Sequence, residues 1–242
     1  MTVSYVGAGP TETSTTVLEA DMTLPAGVVA GDFLIACATG KCQTDGTLPF
    51  VDPPPGWTEA GTIIADFPTS VRELYLGVWF KRYEASGDPT VFTFPASFLG
   101  STLRGYAIRI TGWRGIVNPG LASNTQVDDA GPISPFTPTS PTLVREATVF
   151  SVVTHASTSG PTLDTANGFV RRSTVGLSGA TAFASIAADE DTQPAGAAIV
   201  PDWAVGTGSG SRTAAVTFAL ASVGGAGGLG WNGLHFNAGG FR

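Results

Sequence analysis

Charge is what this 242-residue chain most conspicuously lacks: Asp, Glu, Lys and Arg together make up 13% of it, about half the usual share of a soluble domain. Lysine is confined to Lys41 and Lys81, and the arginines are scattered along the chain. With a net charge of −7 there is no basic stretch to neutralise phosphates, which excludes nucleic acid as a direct partner. No apolar run approaches the ~20 residues a membrane helix needs, and the N-terminal MTVSYVGAG has neither a basic start nor an apolar signal core. The expectation is a protein made in the cytoplasm, without a visible export signal and without membrane insertion.

Histidine is almost as scarce. His155 and His235 are the two present, so a catalytic triad or a histidine metal site would have to use one of them. His155 ends an apolar run, SVVTHAST, where a hydrogen-bonded strand-end histidine is expected; His235 sits among aromatics near the C-terminus. Cys37 and Cys42 are too few for a four-ligand zinc site. Cys37, in DFLIACAT, reads as a small core residue, with a disulfide to Cys42 across a turn as the alternative. No G-x-S-x-G elbow is present, and Ser178 and Ser209 lie in glycine-rich stretches without the rest of that motif. VSYVGAGPTET begins like a dinucleotide-binding turn, but Glu12 stands where the third glycine belongs and no helix pattern follows. Asp128 with Asp129, and Asp189, Glu190 and Asp191, read as solvated turn acids because a D-x-D-x-D-G calcium spacing is missing. No catalytic residue, cofactor or metal site is therefore assigned.

What the chain has in quantity is punctuation. Glycine (32) and proline (17) separate short β-rich runs, and helical periodicity over ten or more residues is hard to find. About a dozen strands are expected: 3–6, 15–21, 32–39, 57–65, 71–83, 90–94, 103–113, 147–155, 169–175, 180–188, 195–200 and 212–220. This spacing predicts an all-β protein, a single-domain antiparallel β-sandwich of jelly-roll type over residues 1–222.

Alternation assigns faces. In LRGYAIRITGW, Tyr106, Ile108 and Ile110 point inward, and Arg109 and Thr111 are expected in solvent. In SRTAAVTFAL, Ala214, Val216, Phe218 and Leu220 form the inward set, with Thr213 and Thr217 outward. LYLGVWFKRY is apolar on both faces up to Lys81, which predicts a strand covered on both sides, with Trp79 in the core or an interface. The proline-rich stretch 114–145 reads as a long crossover loop between two halves of one sandwich, with a domain boundary there as the competing reading. In DPPPGWTEAG, the prolines fix an extended approach, Gly56 permits a turn and Trp57 reads as a core lid opening a strand. Trp57, Trp79, Trp113, Trp203 and Trp231 are also the residues that could stack on sugar rings.

Residues 223–242 form a Gly-rich C-terminal segment. Trp231, Leu234, His235, Phe236 and Phe241 are its expected anchors, docking on this subunit's own sheet or, as favoured here, on a neighbour or a larger assembly.

Six stretches together carry a resemblance: LPAGVVAGDFLIACAT (24–39), PPPGWTEAG (53–61), LGVWFKRYEASGDPTVFTF (76–94), YAIRITGW (106–113), AADEDTQPAGAA (187–198) and WAVGTGSGSRTAAVTFAL (203–220). In this order they resemble a β-sandwich module of tailed-phage virion proteins and tail-fibre-like proteins. The resemblance implies a structural protein of the virion with no catalytic residues to carry over. Its partners would be copies of itself and other virion proteins. The chain lacks heptads, collagen-like repeats and β-helix repeats, so it has no shaft of its own. The expectation is a compact exterior accessory, a capsid decoration protein, head spike or tail-tip subunit, with a carbohydrate-binding attachment module as the alternative and host surface glycan as its partner.

Overall fold

The computed structural model describes residues 3–14, 19–42, 49–65, 73–98, 103–128, 135–155, 161–164, 168–176, 183–189, 193–205 and 213–222, and every regular element among them is a β-strand. The first half supplies β1 (Ser4–Ala8), β2 (Glu12–Ser14), β3 (Glu19–Thr23), β4 (Phe33–Cys42), β5 (Pro49–Val51), β6 (Thr58–Ala65), β7 (Glu73–Arg82), β8 (Val91–Phe98) and β9 (Leu103–Arg114). The second half supplies β10 (Ile116–Asp128), β11 (Thr142–Leu143), β12 (Thr148–His155), β13 (Thr162–Leu163), β14 (Phe169–Gly176), β15 (Phe183–Asp189), β16 (Gly196–Ala197), β17 (Trp203–Ala204) and β18 (Thr213–Ser222).

The first half alternates between two sheets. A middle sheet runs β1-β9-β4-β7-β6, with β2 also on β9, and an outer sheet runs β3-β8-β5. The antiparallel pairs nest: β1 with β9, β3 with β8, β4 with β7. This wrapped nesting is jelly-roll topology. The second half forms a third sheet, β10-β18-β12-β15-β14, and short ladders β11-β16 and β13-β17 lie beyond it.

The result is the all-β, antiparallel, sandwich-like fold that the sequence predicts, built as a stack with three apolar layers. Met22, Phe92 and Phe94 of the outer sheet meet Tyr75, Trp79, Tyr106 and Ile108 of the middle sheet. On its other face the middle sheet sends Phe33, Leu76, Phe80 and Trp113 against Phe150, Ile186, Val216 and Phe218 of the third. On the third sheet's far face, Ala187, Ala215 and Ala219 alternate with larger Val149, Val153 and Phe169, and Trp203, Phe136 and Leu143 of the covering segments pack against them. Trp203 is fully buried, and its Nε1 donates to Ser151 Oγ at 3.1 Å.

This stacking corrects two expectations. Arg109 and Thr111 do alternate with Tyr106, Ile108 and Ile110, but their face looks into the layer against the third sheet. Half-buried Arg109 donates to Ser173 Oγ (3.2 Å) and the Thr174 carbonyl (3.0 Å), and buried Thr111 donates to the Ile35 carbonyl. Thr213 and Thr217, expected in solvent, are buried beneath the covering segments. β7 is apolar on both faces because both are covered, as its sequence predicts: Leu74, Leu76, Val78 and Phe80 point one way, Tyr75 and Trp79 the other.

The 114–145 loop is also corrected. Gly115, at φ +87°, turns the chain from the middle to the third sheet, and Ile116–Asp128 then forms an edge strand on β18. Its register slips between Ile116 and Asn118 and between Asn118 and Ala122, around Pro119, which supplies no ladder donor and is tolerated at an edge. Those slips erase the alternation that identifies a strand in sequence. The halves share the layer between the middle and third sheets, where ring contacts run Tyr5–Trp113–Phe150–Phe218–Phe80 at centroid distances of 4.9–6.4 Å. A buried Thr39–Thr154 hydroxyl bond of 2.6 Å joins the same two sheets.

Candidate functional site

The expected anchors Trp231, Leu234, His235, Phe236 and Phe241, with the whole of 223–242, lie outside the described residues. Their point of departure is described. Ser222 pairs with Ile116, and Ser4 pairs with Arg114, so the start of β1 and the finish of β18 flank the Arg114–Gly115–Ile116 turn at one end of the stack.

That end is built from interlocked loops. Asp32, 3% exposed, accepts from Arg114 Nε (2.8 Å) and Nη2 (2.7 Å) and from the Val29 amide (3.0 Å). Arg114 Nη2 also donates to the Gly27 carbonyl, and its guanidinium is held charged above its ordinary value by the Asp32 hydrogen bond. The Tyr83 amide donates to the Asp32 carbonyl and the Gly31 amide to the Tyr83 carbonyl, tying loop 24–32 to loop 83–90. Within the second loop, Asp88 accepts from Lys81 Nζ at 2.9 Å and from the Glu84 amide at 2.7 Å. Val29 and Val117 stand exposed beside this network.

A second feature runs along one side. The edge strands β6 and β10 line an open groove of about 450 Å³ with Glu59, Ala60, Gly61 and Thr62 on one wall and Ser123, Asn124 and Thr125 on the other. Gly61 allows the close approach: a Cβ there would lie 2.9 Å from Val216 Cγ1 and 3.2 Å from Thr125 Cγ2. Hydroxyls, an amide and one carboxylate line the groove, a set suited to hydrogen-bonding a polyol. A glycosidase site requires a second carboxylate, which these lining residues do not supply.

The other candidates fall into structural places. His155, fully buried at the end of β12, shares a 2.9 Å Nδ1–Oγ1 hydrogen bond with Thr213, as expected of a strand-end histidine. Cys37 is buried and free, and burial pushes its thiol up to about 12. Cys42 lies five residues along the same strand, roughly 16 Å away at ~3.3 Å per residue, which rules out the disulfide across a turn. Trp57 is half-buried as a lid, edge-on to Phe92 and Phe94 at 5.3 Å each. Trp79, Trp113 and Trp203 are core residues, so none of these three offers a ring to a sugar. Asp128 and Asp189 end β10 and β15, their side chains outside the description, as are Asp129, Glu190, Asp191, Ser178 and Ser209. Among the described residues no three His, Cys, Asp or Glu side chains converge as a metal site, and no helix is long and apolar enough to cross a membrane.

Neither the end loops nor the groove is visible in the sequence as a motif. The signals that exist are compositional, an exposed valine in PAGVVAGD and a carboxylate after Trp57. Set against known protein families, curated proteins and solved structures, the chain matches no family, no curated protein and no solved structure.

Proposed function

We propose that this chain is a non-enzymatic structural protein of a tailed-phage virion, made in the host cytoplasm and carried on the particle exterior as a capsid decoration, head-spike or tail-tip accessory. It assembles symmetrically with copies of itself and is held by its terminal segment. The observation that supports this reading is that the start of β1 and the finish of β18, the first and last described strands, lie beside the same turn at one end of a jelly-roll stack in a charge-poor β-body. Jelly rolls also serve lectins and cupins, so topology alone does not choose among these roles. The six-stretch resemblance adds the virion setting.

The test is particle incorporation. Purified virions from cells expressing the full chain should contain it at fixed stoichiometry by mass spectrometry, and a chain ending at Ser222 should be missing from them. Equal incorporation of both would remove the anchor, and absence of the full chain from particles would remove the virion role.

The β6–β10 groove favours a second reading, a carbohydrate-binding attachment module whose partner is host surface glycan. Glycan-array binding abolished by Glu59→Ala and Ser123→Ala would support it. An array without hits would end it.

A further inference from the structure

We infer that the Arg109 guanidinium, with Arg172, Ser173 and Tyr5 around it, binds an oxyanion, the carboxylate or sulfate group of a small acidic ligand. The site lies on the side of the stack where β1 and β14 are the sheet edges, away from the β6–β10 groove, and it rests on neither role proposed above.

A β-bulge brings the second cation to the site. Phe169 and Val175, six residues apart on β14, would share a face in a regular strand, yet Phe169 packs beneath the covering segments and Val175 against the middle sheet. The register slips between Arg171 and Ser173, and the extra residue, Arg172, makes the change of face. Arg171 therefore turns to the Pro161 carbonyl, and Thr174 to Ser185, on the covered side. Arg172 and Ser173 both turn to the middle sheet: the Arg172 guanidinium lies 5.5 Å from the centre of the Tyr5 ring, and Ser173 Oγ accepts from Arg109 at 3.2 Å. Burial raises the Tyr5 hydroxyl, and Arg109 and Arg172 both act against that rise, so the two guanidiniums bear on one phenol.

Arg109 arrives there without an acid. It takes part in no ion pair among the described residues, and Glu12 of the adjoining β2 stands opposite Ile108, on the other face of the sheet. Both of its hydrogen bonds leave from Nη1, to Ser173 and to the Thr174 carbonyl. Its Nε is buried and has no partner. A buried donor of a charged group is costly to leave unmatched, and an oxyanion relieves it.

Arg114, five residues along the same strand, shows what this edge of a guanidinium takes. Its Nε and Nη2 hold the two oxygens of Asp32 at 2.8 and 2.7 Å, a two-pronged pair. Arg109 presents the same Nε–Nη2 edge with no carboxylate of the described residues upon it, so a ligand's oxyanion is the complementary group. Nε is screened from water where it stands, and entry therefore shifts a neighbouring side chain. Arg172, on the edge strand and with the most torsions, is the one that moves off the Tyr5 ring.

The test is isothermal titration calorimetry on the full chain at constant ionic strength, with sodium chloride as the reference salt. Sodium sulfate, sodium glucuronate and a sulfated disaccharide are the probes. Saturable binding of at least one is expected, with a change in near-UV circular dichroism as Tyr5 and its neighbour Trp113 lose the Arg172 contact. Arg109→Lys, which keeps the charge and loses the two-pronged edge, should weaken binding about tenfold or more. Arg172→Gln, on the edge strand, should weaken it as well, and Arg82→Gln, at an exposed position on β7, should not. Sulfate bound as tightly as the disaccharide supports a site for the oxyanion alone, and a markedly tighter disaccharide or glucuronate supports an acidic saccharide. No heat above the sodium chloride reference with any probe, or binding indifferent to both Arg109→Lys and Arg172→Gln, overturns the inference.

Discussion

At the scale of single residues, close approach and burial decide more than chemistry does. Gly77 lies on β7 between Tyr75 and Trp79, on the face those two aromatics share, and a Cβ there would press on the Trp79 ring and the Tyr75 hydroxyl. Gly77→Ala is therefore expected to destabilise by ~1–3 kcal/mol, the range for overpacking a filled core. Chemical denaturation read by tryptophan fluorescence measures it, and an unchanged midpoint would refute the contact. Cys37 supplies the pH dependence. Burial raises the folded thiol from 9.0 to about 12, so between those values the folded chain keeps a proton that the unfolded chain releases. Its contribution is fully present below pH 9 and falls by about 1.4 kcal/mol per pH unit above it. Burial raises Tyr75 as well, with the same sign. Denaturation midpoints from pH 8 to 11 should drop, and the drop should be shallower in Cys37→Ala; parallel curves would contradict this account.

At the scale of elements, the outer sheet shows how its free edges are closed. The Asp52 amide donates to the Pro95 carbonyl, so the Val51 carbonyl of β5 points away from β8, and there it accepts the Tyr75 hydroxyl at 2.9 Å. On the opposite edge the Glu19 carbonyl of β3 accepts the Tyr106 hydroxyl at 3.0 Å. Two tyrosines of the middle sheet thus occupy edge acceptors that an added strand would use. Tyr75→Phe combined with Tyr106→Phe should leave the fold intact while increasing aggregation on gentle heating. Light scattering would detect this, and a double variant as soluble as the parent would show that the hydroxyls are not needed to protect the edges. Most of the long strands are legible in the sequence because their alternation is regular. β10 is hidden by slips around Pro119, and two- and three-residue strands such as β5 and β11 carry too little pattern to be seen.

At the scale of the whole molecule, the halves cannot be separated without exposing the aromatic layer between the middle and third sheets. Residues 223–242, by contrast, follow the last described strand. A chain ending at Ser222 is expected to keep the near-UV circular dichroism and the thermal midpoint of the parent to within about 4 °C, the shift that ~1 kcal/mol produces at this size. Loss of cooperative unfolding in that variant would show that the segment belongs to the fold.

The sequence by itself determined the class and the punctuation. Scarce charge, plentiful glycine and proline and period-two runs leave an all-β stack as the outcome, and DPPPGWTEAG specifies a proline-stiffened turn and a tryptophan lid. Only the tertiary structure decided how many layers there are. A period-two pattern says that two faces differ and cannot say whether the more polar one meets water or another layer, which is why Arg109, Thr111, Thr213 and Thr217 are interior residues. The placing of Ser4 and Ser222 beside Arg114–Ile116 depends on pairings more than 100 residues apart in sequence, and no local signal encodes it.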